Sequence, residues 1–516
     1  MSSTDLWPIQ NFTTMIRKLL FLLSFSFSFA FLQGKGPNIV FIFADDWGWG
    51  DLGCHGHPYL ETPNIDRLAE RGVVFENMYT SYPLCGPSRA AFWTGRFPHD
   101  TGVLSNGLRV QDPDILPNAS VPEDMPTIGE TFKRAGYNTI HFGKCHDSGG
   151  LRGFDIVPDG IRESESVPAG YPENNDTWRD HWAMDRFGEW AEGGFPEPFC
   201  AVVDLQNPHN ICGWIGEHNS LDGPVEHAIS PKNLPELPAN NKVVNWESLP
   251  LPVRYICCSH NRGAQSSHYT DEDWRYYIDA FRHYAKMADE HVGTILRLLE
   301  AGGVLDDTLV ILMADHGDGM GSHQMATKQV SFYEETARVP FIAAGPGVRS
   351  GGQKVAALTS LLDLFPGLCD YAGIQVPDGL PGVSFAPLLQ GAVKQREFVV
   401  AEWYTEWGCT VSPGRMIRSA RFKYTSYLEG SVGAGDPTGG EELYDLDMDR
   451  GEMVNLATDT AYCEVLLQHR DMLKRHIRDQ ADPFYTQKVV VDKRWRSHPP
   501  GYQHHSGPTA PMVAGR

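Results

Sequence analysis

Positive charge is scarce in this chain. Its 516 residues carry 43 Lys and Arg against 65 Asp and Glu, a formal net charge of -22, which argues against the basic face that nucleic-acid binders need to neutralise phosphates. A small anionic substrate stays compatible, because a few Lys and Arg side chains focused in one cleft act locally while distant charges are screened. Zinc-type Cys and His spacings are also missing, and Cys257 and Cys258 stand side by side without the two-residue spacer of a redox pair. The glycines between Gly345 and Gly352 lack the Lys-Ser/Thr pair that closes a phosphate loop, so they read as turns. With 41% hydrophobic and 21% charged residues the composition is that of an ordinary globular protein and favours neither disorder nor a multi-span membrane protein.

The N-terminus has an export pattern: Arg17 and Lys18, the apolar run Leu19 to Leu32, and small Ser28 and Ala30 near its end. The run is short for a bilayer span, so a cleaved signal within an N-terminal extension over 1–33 is expected, with an anchor helix as the alternative. Export places the mature chain in a periplasm or outside the cell, with no stable span after cleavage. Ten cysteines then permit disulfides, Cys200, Cys212, Cys257 and Cys258 being candidates whose pairing sequence does not give.

Four short apolar runs end in groups that bind metal or move protons. Ile39 to Phe43 ends at Asp45 and Asp46, Thr308 to Met313 at Asp315 and His316, Asn138 to Phe142 at Lys144 and His146, and Phe199 to Leu205 before His209. β-Branched and aromatic runs of this length alternating with helical patterns predict a parallel sheet covered by helices, whose ligands lie beyond the carboxyl ends of the strands. Taken singly, each Asp or His is equally a turn or cap residue; four together point to one site. Thr62 with Pro63 marks a helix start, and a long helix is predicted from Thr270, with Asp273 as its capping-box partner, to Gly302.

The expected fold is therefore α/β: a large mixed, mostly parallel sheet sandwiched by helices over 34–395. A smaller C-terminal α+β subdomain over 396–485 follows, with a short antiparallel sheet from Phe398 to Trp403, Arg415 to Ile417 and Phe422 to Tyr427 separated by Gly-rich turns. Residues 486–516 read as a tail, with His504 and His505 as solvated residues or metal ligands.

Cys85-Gly86-Pro87-Ser88-Arg89, followed by Thr94-Gly95-Arg96, is the most informative stretch. Pro87 suits a first helical turn, which puts Cys85 at a helix N-terminus, where free N–H groups favour an anion, and Arg89 about one turn on. This stretch resembles the signature of the type I, formylglycine-dependent sulfatases of the alkaline phosphatase superfamily. The resemblance extends through Asp45-Asp46, Gly143-Lys144-Cys145-His146, Asn207-Pro208-His209, Asp315-His316-Gly317, Lys328 before Phe332-Tyr333-Glu334-Glu335, and Glu442-Leu443-Tyr444-Asp445-Leu446.

The resemblance implies a sulfuric ester hydrolase acting on a sulfated glycan or a small sulfate ester. It implies conversion of Cys85 to formylglycine by a dedicated maturase, and one Ca2+ held by Asp45, Asp46, Asp315 and His316 together with the formylglycine at position 85. Lys144, Lys328 and Arg89 would neutralise the sulfuryl group. One hydroxyl of the aldehyde hydrate attacks sulfur, with Asp315 as a candidate proton acceptor. His209, with Lys328, protonates the leaving oxygen, and His146 deprotonates the second hydroxyl to expel sulfate. Lys144, His209, Lys328 and Trp214 are the expected substrate contacts, Trp214 either stacking on a sugar face or packing in the core. Cys145 departs from the pattern, since many family members carry Trp between the Lys and the His. Two other readings are a phosphomonoester or phosphonate-ester hydrolase of the same superfamily and a catalytically silent sulfoglycan-binding protein.

Overall fold

Asn38–Asp45 (β1) is buried along its whole length, the state of a strand with a neighbour on each edge and helices on both faces, and the reason its sequence shows an unbroken apolar run instead of alternation. The computed structural model describes residues 36–106, 119–157, 177–218, 229–242, 269–328, 331–393, 396–404, 413–428 and 440–487, with a few single positions between them. The remaining strands of the main sheet are Val73–Phe75 (β2), Asn138–Gly143 (β3), Asp155–Ile156 (β4), Phe199–Pro208 (β5), Thr308–Ala314 (β6), Phe341–Ala344 (β7) and Gln353–Val355 (β8). They lie in the order β8-β2-β7-β6-β1-β5-β3-β4. Only β7 runs antiparallel to its two neighbours, so the sheet is mixed and mostly parallel.

The strands run one or more residues past the predicted apolar stretches. Pairing carries β1 on to Asp45, opposite Pro208 of β5, across a register shift after Ala44. Backbone hydrogen bonds, not side-chain polarity, set where these strands stop.

Helices Pro63–Arg71 (α1), Cys85–Thr94 (α2), Thr177–Glu192 (α3), Ile211–His218 (α4) and Asp271–Ala301 (α5) connect the strands. Phe43 stacks on Phe92 and Phe41 meets Trp93 edge-on, so alternate residues of β1 fix α2 against the sheet. The capping box predicted for α5 is present, with Asp273 N–H donating to the Thr270 hydroxyl and the Asp273 carboxylate accepting from Thr270 N–H. Thr62 precedes α1 without capping it, because its hydroxyl accepts from Gly53 N–H and donates to Asp66 instead.

A separate antiparallel sheet follows, Phe398–Trp403 (β9), Gly414–Ser419 (β10), Phe422–Tyr427 (β11) and Gly440–Asp445 (β12), in chain order. Its β10–β11 turn is Ala420-Arg421 and not the glycine-rich turn expected. Helix Cys463–Asp479 (α6) buries Leu466 and Leu473 with Ile417, Tyr424 and Leu443 of this sheet. No helix among the described residues is long and apolar enough to cross a membrane. The run Leu19 to Leu32, Cys257, Cys258 and the tail from His498 lie outside the described residues, and Cys200 is a free buried thiol.

Candidate active site

The carboxyl ends of β1 and β6 and the start of α2 converge. Ligand atoms of Asp45, Cys85, Asp315 and His316 all lie within 4.8 Å of one another, and all four residues are buried. Cys85 opens α2 behind Leu84, and the Gly86 N–H finds its acceptor in Asn106 Oδ1 at 2.8 Å. Ser88 Oγ, one turn in, donates to the Asp315 carbonyl at 2.8 Å, which ties α2 to the end of β6. Asp46 has φ of +66°, a left-handed conformation costly for a non-glycine residue and held here by the surrounding structure.

The Cys85 Sγ lies 3.1 Å from His316 Nε2 and 3.6 Å from Asp45 Oδ1. Burial pushes the Cys85 thiol up, but Lys328, His316, Lys144 and a hydrogen bond from His146 together hold it well below the ordinary range. Lys144 Nζ forms an ion pair with Asp45, and Lys328 Nζ reaches both Asp46 oxygens at 2.9 Å. Burial opposes charge on Lys328, but Asp46 and its neighbours keep its basicity well above normal. Asp315 is pushed up to about 6 by burial and by Asp45, against His316 and Arg89.

Arg89 is wholly buried and surrounded by carboxylates. Its Nη1 and Nη2 grip Asp204 at 2.5 and 3.1 Å, Nε donates to Asp315 at 2.7 Å, and Nη2 reaches Asp45 at 3.4 Å. These bonds tie it into the frame around Cys85. Asp204 was missed by sequence reasoning although it carried a signal, a single carboxylate inside the otherwise apolar strand Phe199-Cys-Ala-Val-Val-Asp204-Leu205.

His209 stands beyond β5 with Nε2 3.9 Å from Asp46 and Nδ1 2.7 Å from the Gln206 side-chain amide. The Gln206 amide thus fixes the ring by its Nδ1 edge and leaves Nε2 facing the site. Burial, Lys144 and Lys328 lower the His209 pKa. Asp180 of α3 accepts the Asn207 N–H at 3.0 Å and the Gln206 N–H at 2.5 Å, bracing this turn. Lys328 is braced in turn by Tyr277 of α5, whose hydroxyl accepts from Thr327 N–H at 2.7 Å and donates to Asp318 at 2.8 Å.

Of the two roles open to Trp214 the structure has core packing: it is 1% exposed, stacked on His218 and edge-on to Tyr277, which removes it from the expected substrate contacts.

Three carboxylates and an imidazole backed by a positively framed nucleophile fit a hard divalent cation, since Asp45, Asp46 and Asp315 supply anionic oxygens and would offset its charge. His316 is raised to about 10 because Asp315 and Cys85 outweigh the effect of its burial. A bound cation would have to replace that proton, and a neutral ring is the form that ligates.

Residues 37–374 match the sulfatase family model, and residues 321–479 match the model for the C-terminal region of N-sulphoglucosamine sulphohydrolase. The chain belongs to the sulfatase family, within the alkaline phosphatase superfamily, and is a sulfatase. A Delta 4,5-hexuronate-2-O-sulfatase from Bacteroides thetaiotaomicron is 43% identical over 487 residues, covering 93% of this chain and 97% of that protein. The solved structure of a 2-O GAG sulfatase superposes with a TM-score of 0.84 at 42% identity, covering 93% of this chain and 100% of that one. A phosphonate monoester hydrolase from Agrobacterium radiobacter shares the fold, with a TM-score of 0.67 at 22% identity over 89% of this chain and 100% of that one.

Proposed function

We propose that this sulfatase removes the 2-O-sulfate of a 4,5-unsaturated hexuronate in a sulfated glycan fragment, with Cys85 matured to formylglycine and calcium as its cation. The carrying observation is the 43% identity to the hexuronate-2-O-sulfatase over 97% of that protein, in a chain whose Asp45, Cys85, Asp315 and His316 meet in one buried cluster. A 4,5-unsaturated uronate carries no substituent on C4, so it is a terminal sugar and the action is exo. Export, as the N-terminal pattern suggests, would bring the enzyme to such fragments.

The Cys85 sulfur stands where a formylglycine hydroxyl oxygen would stand, beside His316 and Asp45. Asp45, Asp46, Asp315 and His316 would hold the cation, which neutralises sulfuryl oxygens and eases ionisation of the attacking hydroxyl. Arg89 holds Asp45 and Asp315 in place through fixed bonds, so the charge pattern is set before substrate arrives. Lys144 and Lys328 supply positive charge around the sulfuryl group from two sides of the chain. His209, with Nε2 facing the site, protonates the departing alkoxide, and His146, hydrogen-bonded at position 85, accepts the proton from that residue.

Sulfate release from a 2-O-sulfated unsaturated disaccharide, measured beside its 6-O-sulfated isomer and a matched phosphate ester, tests this reading. Preference for the 2-O-sulfate by about 100-fold or more is expected; equal or faster turnover of the isomer or the phosphate ester overturns it.

A further inference from the structure

A second nucleophile lies outside the chemistry above. Cys145 is exposed, and Gly143, with φ of +100°, turns the chain at the end of β3 so that Cys145 Sγ comes to 3.8 Å from His141 Nδ1. On the far side of the ring, Nε2 faces Asp204 Oδ2 at 3.5 Å. His141 and Asp204 are both wholly buried. Sulfur, imidazole and carboxylate thus follow one another in the order of nucleophile, ring and orienting acid. Burial disfavours charge on His141, but Asp204 and Cys145 on its two sides raise its pKa to about 9. The thiolate is the attacking form of cysteine, and a ring nitrogen stands within reach of Sγ.

The relay does not end at Asp204. That carboxylate holds Arg89 through two bonds, and Arg89 holds Asp315 and Asp45. Cys145 also sits between Lys144, paired with Asp45, and His146, bonded at Cys85.

We propose that Cys145 is a thiol-modification site that takes small disulfides, and that the adduct acts as a brake on the enzyme. The thiolate attacks one sulfur of RS–SR, a Cys145–SR bond forms, the original S–S bond breaks, and RS⁻ leaves and is protonated by solvent; excess thiol reverses the exchange. The adduct removes the partner of His141 at the head of the relay and loads the segment that carries Lys144 and His146. The brake rests on the sulfatase reading, whereas the modification itself is read without turnover.

The test treats the full-length matured enzyme with oxidised glutathione and follows each cysteine by peptide mass spectrometry, with sulfate-ester turnover recorded in parallel. Cys145 should react about tenfold or more faster in the native enzyme than in the urea-unfolded chain, where His141 no longer stands beside it. Turnover should fall in step with the Cys145 adduct and recover with a thiol reductant. Cys145→Ser should keep the starting turnover and lose the sensitivity. His141→Gln should slow Cys145 while leaving the exposed Cys463 unchanged as an internal control. A native rate no higher than the unfolded rate, or full occupancy of Cys145 with undiminished turnover, overturns the proposal; rapid labelling of an inactive preparation would count against the assigned reaction and not against the site.

Discussion

Arg89 and Asp204 form a two-pronged ion pair in the interior, Nη1 to Oδ2 at 2.5 Å and Nη2 to Oδ1 at 3.1 Å, with neither side chain exposed. The pair links the nucleophile helix to the central strand β5, and Arg89 passes the link on to Asp315 at the end of β6. Breaking it strips the guanidinium of its two-pronged partner and leaves it on Asp315 and Asp45 alone. Asp204→Ala is predicted to cost about 3–5 kcal/mol of stability, seen in denaturant unfolding, and to lower kcat by about 100-fold or more. Asp204→Asn, which keeps the shape and one acceptor, should lose less of both. Equal kcat in the alanine variant and the wild type would remove Asp204 from the frame.

Removal of the cation gives a second prediction. Chelation should abolish turnover, and Ca2+ should restore it and raise the unfolding midpoint, because a ligand at a hundredfold excess over its Kd stabilises by about 2.7 kcal/mol. Asp46→Asn and Asp315→Asn should lose both the restoration and the thermal shift. Full activity after exhaustive chelation, with no metal found by elemental analysis, contradicts the assigned ligand set.

A third concerns pH. His99 Nδ1 lies 2.6 Å from Glu402 Oε1 of β9, both side chains nearly unexposed. Burial lowers the His99 pKa, but Glu402 more than offsets that and lifts it to about 9. A histidine raised in the folded state contributes stability fully present below its ordinary value of about 6.5 and lost as pH rises through about 9. Stability should therefore decline over that interval by at most about 3 kcal/mol, and Glu402→Gln should flatten the decline. Denaturant midpoints at pH 6 and pH 9 decide it; identical slopes in the two proteins would refute the assignment.

Much of this site is legible in the sequence because it is local. Asp45, Asp315 and His316 follow apolar runs that can only be strands, and Pro87 and Arg89 place Cys85 on the first turn of a helix. Long-range partners are less readable. The burial of Trp214 depends on Tyr277 of a helix that starts 57 residues further on at Asp271, and the donors of Arg89 are claimed by residues from three strands or strand ends. The meeting of Cys145 with His141 depends on the backbone turn at Gly143, which spacing does not reveal. Asp204 is different, since a carboxylate in an apolar strand demands a partner and could have been paired with the buried arginine in advance.

The most direct measurement is turnover against the degree of conversion of Cys85. Preparations made with and without the maturase, mixed to span the range, would be assayed for sulfate release while peptide mass spectrometry counts the fraction of Cys85 that has exchanged its thiol for an aldehyde. Turnover proportional to that fraction and vanishing with it is the predicted result. Full turnover from chains that retain an unmodified Cys85 would contradict the account.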